Sequence, residues 1–167
     1  MGQSNDHQVL HPVRIAIPLD IRLYVVQLLN QTLACTVDLR SHGKQAFWNV
    51  KGHDFSQLRA LFATMATALE AYTDLLAERI VVLGGVAQGT ARTGPTQSTL
   101  PEYPGAIMDG DAHVRALAER MAPYATVLRD NITLAADVED AGSAAVYTDI
   151  SRGVDRQLWV LDAHLHR

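Results

Sequence analysis

Apolar residues recur at three- and four-residue steps along most of this chain, which is the spacing that gives a helix one hydrophobic face. Ile21, Val25, Leu28, Leu29, Leu33 and Val37 set the first such stripe. Pro18 stands ahead of it, and proline is suited to the first turn of a helix. The pattern predicts a helix from Pro18 to about Val50, closed by Gly52 and weakened at Gly43. A second stripe runs through Leu58, Phe62, Met65, Leu69, Tyr72, Leu76, Ile80 and Leu83. Asp54 and Gln57 have the spacing of a capping box at its start, and Gly84 and Gly85 end it. A third helix is expected from about Asp109 to Asp140, bent at Pro123, with Val114, Leu117, Met121, Tyr124, Leu128, Ile132 and Leu134 inside. A fourth is expected from about Ser143 to Leu165 on Val146, Ile150, Val154, Leu158 and Leu161.

Residues 1–17 lack a clean period and read as a flexible N-terminal arm with its end laid on the body. The remainder, 18–167, reads as one domain. Between the second and third helices lie Gly84, Gly85, Gly89, Gly94, Pro95, Pro101, Pro104 and Gly105, a connection with one short helix expected near Thr96 to Tyr103. The loop after the first helix is short, so the first two helices must run antiparallel, and the last two likewise. About 25 residues at ~3.3 Å each can travel the length of the bundle. The second and third helices can therefore be parallel. The expected fold is all-α, a ferritin-like four-helix bundle with one long crossover connection.

The composition agrees and narrows the function. Of 167 residues, 48% are hydrophobic and only 6% aromatic, which favours packed helices over a sandwich of sheets. The formal net charge of -4 excludes a general basic coat for nucleic acid. The arm carries Arg14 and no lysine, and no basic tail follows the last helix, so DNA binding is not expected. Cys35 is the single cysteine, which leaves neither an intrachain disulfide nor a thiolate zinc site. No apolar run reaches the ~18 residues of a membrane span and no secretory leader is evident, so the expected compartment is the cytoplasm.

About half-way round from its apolar stripe, the second helix presents Ala60, Ala63, Thr64, Thr67, Ala71, Asp74 and Glu78. Such small residues suit either a close helix–helix contact between subunits or an exposed alanine-rich face. Asp74 and Glu78, four apart, stack their carboxylates on adjacent turns. They read either as a solvated acidic pair or as half of a metal site.

Residues 44–90 carry K-Q-A-x-W-N from Lys44 to Asn49, Gly52 and Phe55, D-x-x-A-E-R from Asp74 to Arg79, and L-G-G-x-A-x-G-T from Leu83 to Thr90. With the tail from Ile150 to Leu165, this resembles the Dps family (DNA-binding proteins from starved cells), the small ferritins, over about residues 18–165. The resemblance implies a hollow dodecamer that stores iron against oxidative stress. It also implies a ferroxidase centre shared across a two-fold interface. In that family one subunit gives an aspartate and a glutamate, which match Asp74 and Glu78. The other gives two histidines and an aspartate, and the matching positions hold Phe47, Arg59 and Ala63. Phenylalanine and alanine offer no donor, and a guanidinium has no lone pair for a metal. Iron needs oxygen and imidazole donors, so iron binding here is expected to be weak or absent. The replacements fit an ion pair in which Arg59 of one subunit meets the two acids of another. The milder alternative leaves Arg59 turned away and iron weakly held at the acids.

Two functions follow: an iron-storage cage with an impaired ferroxidase centre, or a non-catalytic cage paralogue that co-assembles with active subunits or holds another ligand. Trp48 matches the family's tryptophan beside the centre, although its pattern fits core packing, as does that of Trp159. His7 with His11, and His164 with His166, have spacings that could hold a metal. His42 is expected at the surface. Asp109, Asp111 and His113 resemble a chelating cluster, although acids are ordinary at a helix start. Asn131-Ile-Thr has glycosylation spacing within a helix.

Overall fold

The computed structural model describes residues 10–165. Five helices follow in order: α1, Leu19–Asn49; α2, Phe55–Val82; α3, Thr93–Gln97; α4, Gly110–Asp137; and α5, Ala141–Leu165. The four long ones form the bundle. Lys51, just past α1, donates its backbone N–H to the Met108 carbonyl just before α4, at 2.8 Å. The start of α4 therefore lies at the end of the bundle where α2 also starts. The crossover has travelled the bundle's length, α2 and α4 run parallel, and the ferritin-like topology is the one present.

The four apolar stripes meet in one core. Leu29, Leu33, Phe62, Met65, Leu69, Leu76, Leu117, Met121, Tyr124, Leu128, Ile150 and Val154 are all buried. The core also holds a polar chain. Asn131 donates to Thr32 Oγ1 at 3.0 Å, and Thr36 shares a 2.7 Å hydrogen bond with the Tyr124 hydroxyl. Asn131 is thus a buried bundle residue, and its glycosylation spacing is without consequence. Gly153 of α5 faces Tyr72 of α2: a Cβ there would lie 2.8 Å from Tyr72 Cζ, so only glycine lets the two helices approach so closely.

The helix ends differ from expectation in instructive ways. Asp54 stands at the N-cap of α2 but makes no side-chain cap hydrogen bond, so the capping box does not form; its carbonyl instead receives Leu58 N–H at 3.0 Å. The short crossover helix spans Thr93–Gln97 and not 96–103. Pro101 and Pro104 exclude helix from the later stretch, since proline lacks the N–H and restricts the residue before it. Gly94, buried on α1 with Val37 only 3.0 Å from where a Cβ would sit, lets the earlier stretch dock. α4 ends at Asp137, and Glu139 turns the chain with φ of 60°. Asp140 then accepts Ser143 N–H at 3.0 Å at the start of α5 and is held by Arg79 of α2 at 2.5 Å. α4 passes through Pro123 as a single helix with that ring exposed.

Residues 10–17 are tied to the body: His11 N–H bonds the Gly84 carbonyl at 2.7 Å, and Arg22 clasps the carbonyls of Ile17 and Leu83. Gly84 has φ of 87° at the end of α2, a conformation that glycine adopts without a Cβ penalty. Three side chains contradict their sequence pattern. Trp48 and Trp159 are 63% and 68% exposed, not core. His42 is buried, because it continues the α1 stripe of Leu39 and Ala46.

Candidate functional site

The positions singled out by sequence lie in two groups on the same surface. Phe47, near the C-terminal end of α1, and Arg59 and Ala63, in the first half of α2, form one group. Asp74 and Glu78, in the second half of α2, form the other. At ~1.5 Å of rise per residue, Arg59 stands ~22 Å from Asp74 and ~28 Å from Glu78 along the helix. No side chain bridges that gap, so the two groups cannot meet within one subunit.

The first group is a cation–aromatic stack. The Arg59 guanidinium lies 4.3 Å from the centre of the Phe47 ring and 5.6 Å from that of Phe55. The Lys44 ammonium lies 4.7 Å from the Phe47 ring and 5.6 Å from that of Trp48. Two cations therefore share one phenylalanine ring, each attracted by its negative face. Beside them α1 and α2 enclose a cavity of about 440 Å³ whose lining includes Lys44, Trp48, Ala63 and Thr67. Neither Arg59 nor Lys44 has an acidic partner among the described residues.

The second group is its mirror in charge. Asp74 and Glu78 are both exposed, and neither forms an ion pair or hydrogen bond among the described residues. Ala60, Thr64, Thr67 and Ala71, which link the two groups along α2, are exposed as well, together with Phe55, Val81 and Val82. The face is thus small in its middle and apolar toward both ends. Each subunit carries one uncompensated cationic cluster and one uncompensated acidic pair on it.

The donor set does not fit iron within the subunit. Among the described residues no three His, Cys, Asp or Glu side chains come together as a metal site. At the positions that the Dps resemblance assigns to histidines stand a stacked guanidinium and a benzyl ring, neither of which offers a metal a lone pair. The other sequence candidates disperse. Asp111 is exposed, and Asp109 caps α4 by accepting Ala112 N–H at 3.0 Å. His113 is buried and bonds Tyr103, so the suspected chelating cluster is a helix cap beside a core histidine. The His164 ring bonds the Val160 carbonyl of its own helix at 2.8 Å. His7 and His166 lie outside the described residues.

Sequence reading missed Lys44 and Phe55 as parts of this site. The signal was present: Lys44 and Phe47 are three apart and Phe55 and Arg59 four apart, the two spacings at which helical side chains touch.

Comparison with known proteins gives the lineage. The ferritin-like domain family matches residues 26–167. The DNA protection during starvation protein of Agrobacterium fabrum is 35% identical over 155 residues, covering 93% of this chain and 96% of that protein. Among solved structures, DpsC from Streptomyces coelicolor has a TM-score of 0.91 at 28% identity, covering 95% of this chain and 93% of that one. Dps from Microbacterium arborescens, in a high iron form, has a TM-score of 0.84 at 28% identity, covering 91% of this chain and 98% of that one. With the bundle topology, the Lys44–Asn49 and Asp74–Arg79 motifs and these likenesses together, the chain belongs to the Dps family of ferritin-like proteins.

Proposed function

We propose that this chain is the subunit of a closed Dps-like cage, most simply a dodecamer, that sequesters iron in the cytoplasm and protects against oxidative stress without a working intersubunit ferroxidase centre. The observation that carries the reading is the pair of uncompensated charge clusters on one face of α2. A two-fold contact is self-complementary, so each residue pair occurs twice. An antiparallel crossing of two α2 helices centred between Ala68 and Leu69 sets Arg59 against the partner subunit's Glu78 and Ala63 against the partner subunit's Asp74. It also sets Phe55 against the partner subunit's Val82. Charge meets charge, apolar meets apolar, and the small residues let the backbones approach.

In such an interface Arg59 keeps its stack on Phe47. A guanidinium uses its flat face toward the ring and donates through its edge, so one side chain serves both contacts. The former metal site becomes an ion pair. Iron then enters as cargo, collected on other acids of the cage, and its oxidation does not depend on Asp74 and Glu78. The alternative, a structural paralogue that co-assembles with active subunits, uses the same face.

Light scattering at micromolar concentration tests the cage: a closed oligomer of uniform size is expected, and a stable monomer or lone dimer overturns the proposal. The name of the Agrobacterium relative speaks of DNA protection. With a net charge of -4 per chain and one arginine in the arm, this cage is expected to leave plasmid DNA unshifted in a gel at physiological salt. A shift that weakens steeply as salt is raised would reveal a basic patch and overturn that expectation.

A further inference from the structure

The second half of the crossover, residues 98–108, has no helix of its own. Among its ties to the bundle is one aromatic side chain set between two buried histidines. The Tyr103 ring centre lies 5.2 Å from that of His42 on α1 and 6.1 Å, nearly parallel, from that of His113 on α4. Its hydroxyl is 2.6 Å from His113 Nδ1. We propose that His42, Tyr103 and His113 form an acid-released latch that docks residues 98–108 onto α1 and α4 at neutral pH and lets them go when the histidines take up protons.

The geometry requires His113 to be bare at Nδ1. Burial holds the Tyr103 hydroxyl protonated far beyond neutral pH, so Tyr103 donates and His113 Nδ1 must accept through a lone pair. The proton of neutral His113 then sits on Nε2. The backbone of Asn49 and of Ile107 also bonds His113 and favours its proton. His42 Nε2 lies 3.2 Å from Asp38 Oδ1.

The surrounding charges decide the direction. From α1, Asp38 favours a proton on His42. From α4, Arg120 opposes it, and Asp109 favours a proton on His113. Arg120 also lies 5.6 Å from the Tyr103 ring and holds the Glu102 carbonyl through two donors, at 2.6 and 3.2 Å. Glu102 lines the cavity of about 330 Å³ that His42 and Tyr103 also line. From α2 the Phe62 ring lies edge-on to His113. Desolvation is the largest influence on both histidines and lowers the affinity of each for a proton.

A histidine that binds protons less readily in the docked state than when released stabilises docking fully above its ordinary value of ~6.5. That stabilisation fades as pH falls below ~6.5 and is gone once the docked histidines are themselves protonated. Protonation at His113 Nδ1 removes the acceptor of the Tyr103 hydroxyl. It also gathers two imidazolium ions and a guanidinium around one ring.

Hydrogen exchange with mass spectrometry on the intact assembled protein, corrected for intrinsic exchange chemistry, tests the latch between pH 7.5 and 5. Exchange in peptides covering 98–108 is expected to rise at least tenfold at the acid end while peptides of the α2 core stay protected. His113→Gln, which keeps a side-chain acceptor for Tyr103 without a titrating ring, should lose most of the response. Nuclear magnetic resonance titration of the imidazoles in the natural protein gives an independent readout, with His42 and His113 expected to titrate below ~6.5. Unchanged protection of 98–108 down to pH 5, or an equal acid response in His113→Gln, overturns the proposal.

Discussion

The combined change Phe47→His, Arg59→His and Ala63→Asp is expected to give rapid oxidation of ferrous iron by peroxide, which the natural chain should not show. The three substitutions return imidazole and carboxylate donors to the positions that the Dps resemblance assigns to iron. Asp74 and Glu78 match the other half in that resemblance. The loss to be reversed is large. Disturbing only the outer partners of metal ligands typically costs 10–100-fold in affinity or activity. By the Dps resemblance three direct donors are replaced here, one of them by a cation, which repels a metal ion. The test compares initial rates of peroxide-dependent ferrous oxidation in the natural chain and the triple variant, each with and without Asp74→Ala. Oxidation in the triple variant should disappear with Asp74→Ala. Rapid stoichiometric oxidation by the natural chain, abolished by Asp74→Ala alone, would show that the acids still hold iron and that Arg59 does not close the site.

The bundle was legible because burial and helical period coincide. Every residue of the α2 stripe from Leu58 to Leu83 is buried except Tyr72, which is half-buried against Gly153. The topology was legible from connection lengths alone, since a short loop forces antiparallel neighbours and a long one frees them. The misreadings have a common physical origin. Periodicity says which residues share a face, but not which face meets another helix of the same subunit. Trp48 and Trp159 are large and aromatic, yet they lie on faces that this chain leaves uncovered. His42 is polar, yet it lies on the covered face and under the crossover. Of the candidate site, the motif singled out Phe47, Arg59, Ala63, Asp74 and Glu78, and the structure sets them on α1 and α2. That Arg59 and Lys44 both settle on Phe47 depends on the angle between the two helices, which no single-helix pattern encodes.

The same surface leads to the second large effect, on assembly. Arg59→Ala is expected to weaken the two-fold contact strongly, although Arg59 is exposed in the isolated subunit and makes no ion pair there. The cost arises only when two subunits meet. Assembly removes water from Asp74 and Glu78, and without a guanidinium opposite them two like charges four residues apart are left without a counter-ion. Removing one partner of a buried pair typically costs about 3–5 kcal/mol. A two-fold axis repeats the loss, so even the lower figure at one of the two sites corresponds to about 100-fold weaker association. Arg59→Lys should recover only part of it, because an ammonium neither stacks flat on Phe47 nor spans two carboxylates as a planar fork does. Native mass spectrometry or sedimentation over a dilution series at neutral pH, comparing the natural chain with Arg59→Ala and Arg59→Lys, reads the effect. An Arg59→Ala protein that assembles as tightly as the natural chain would show that the guanidinium faces solvent in the cage and that Asp74 and Glu78 are balanced by some other cation.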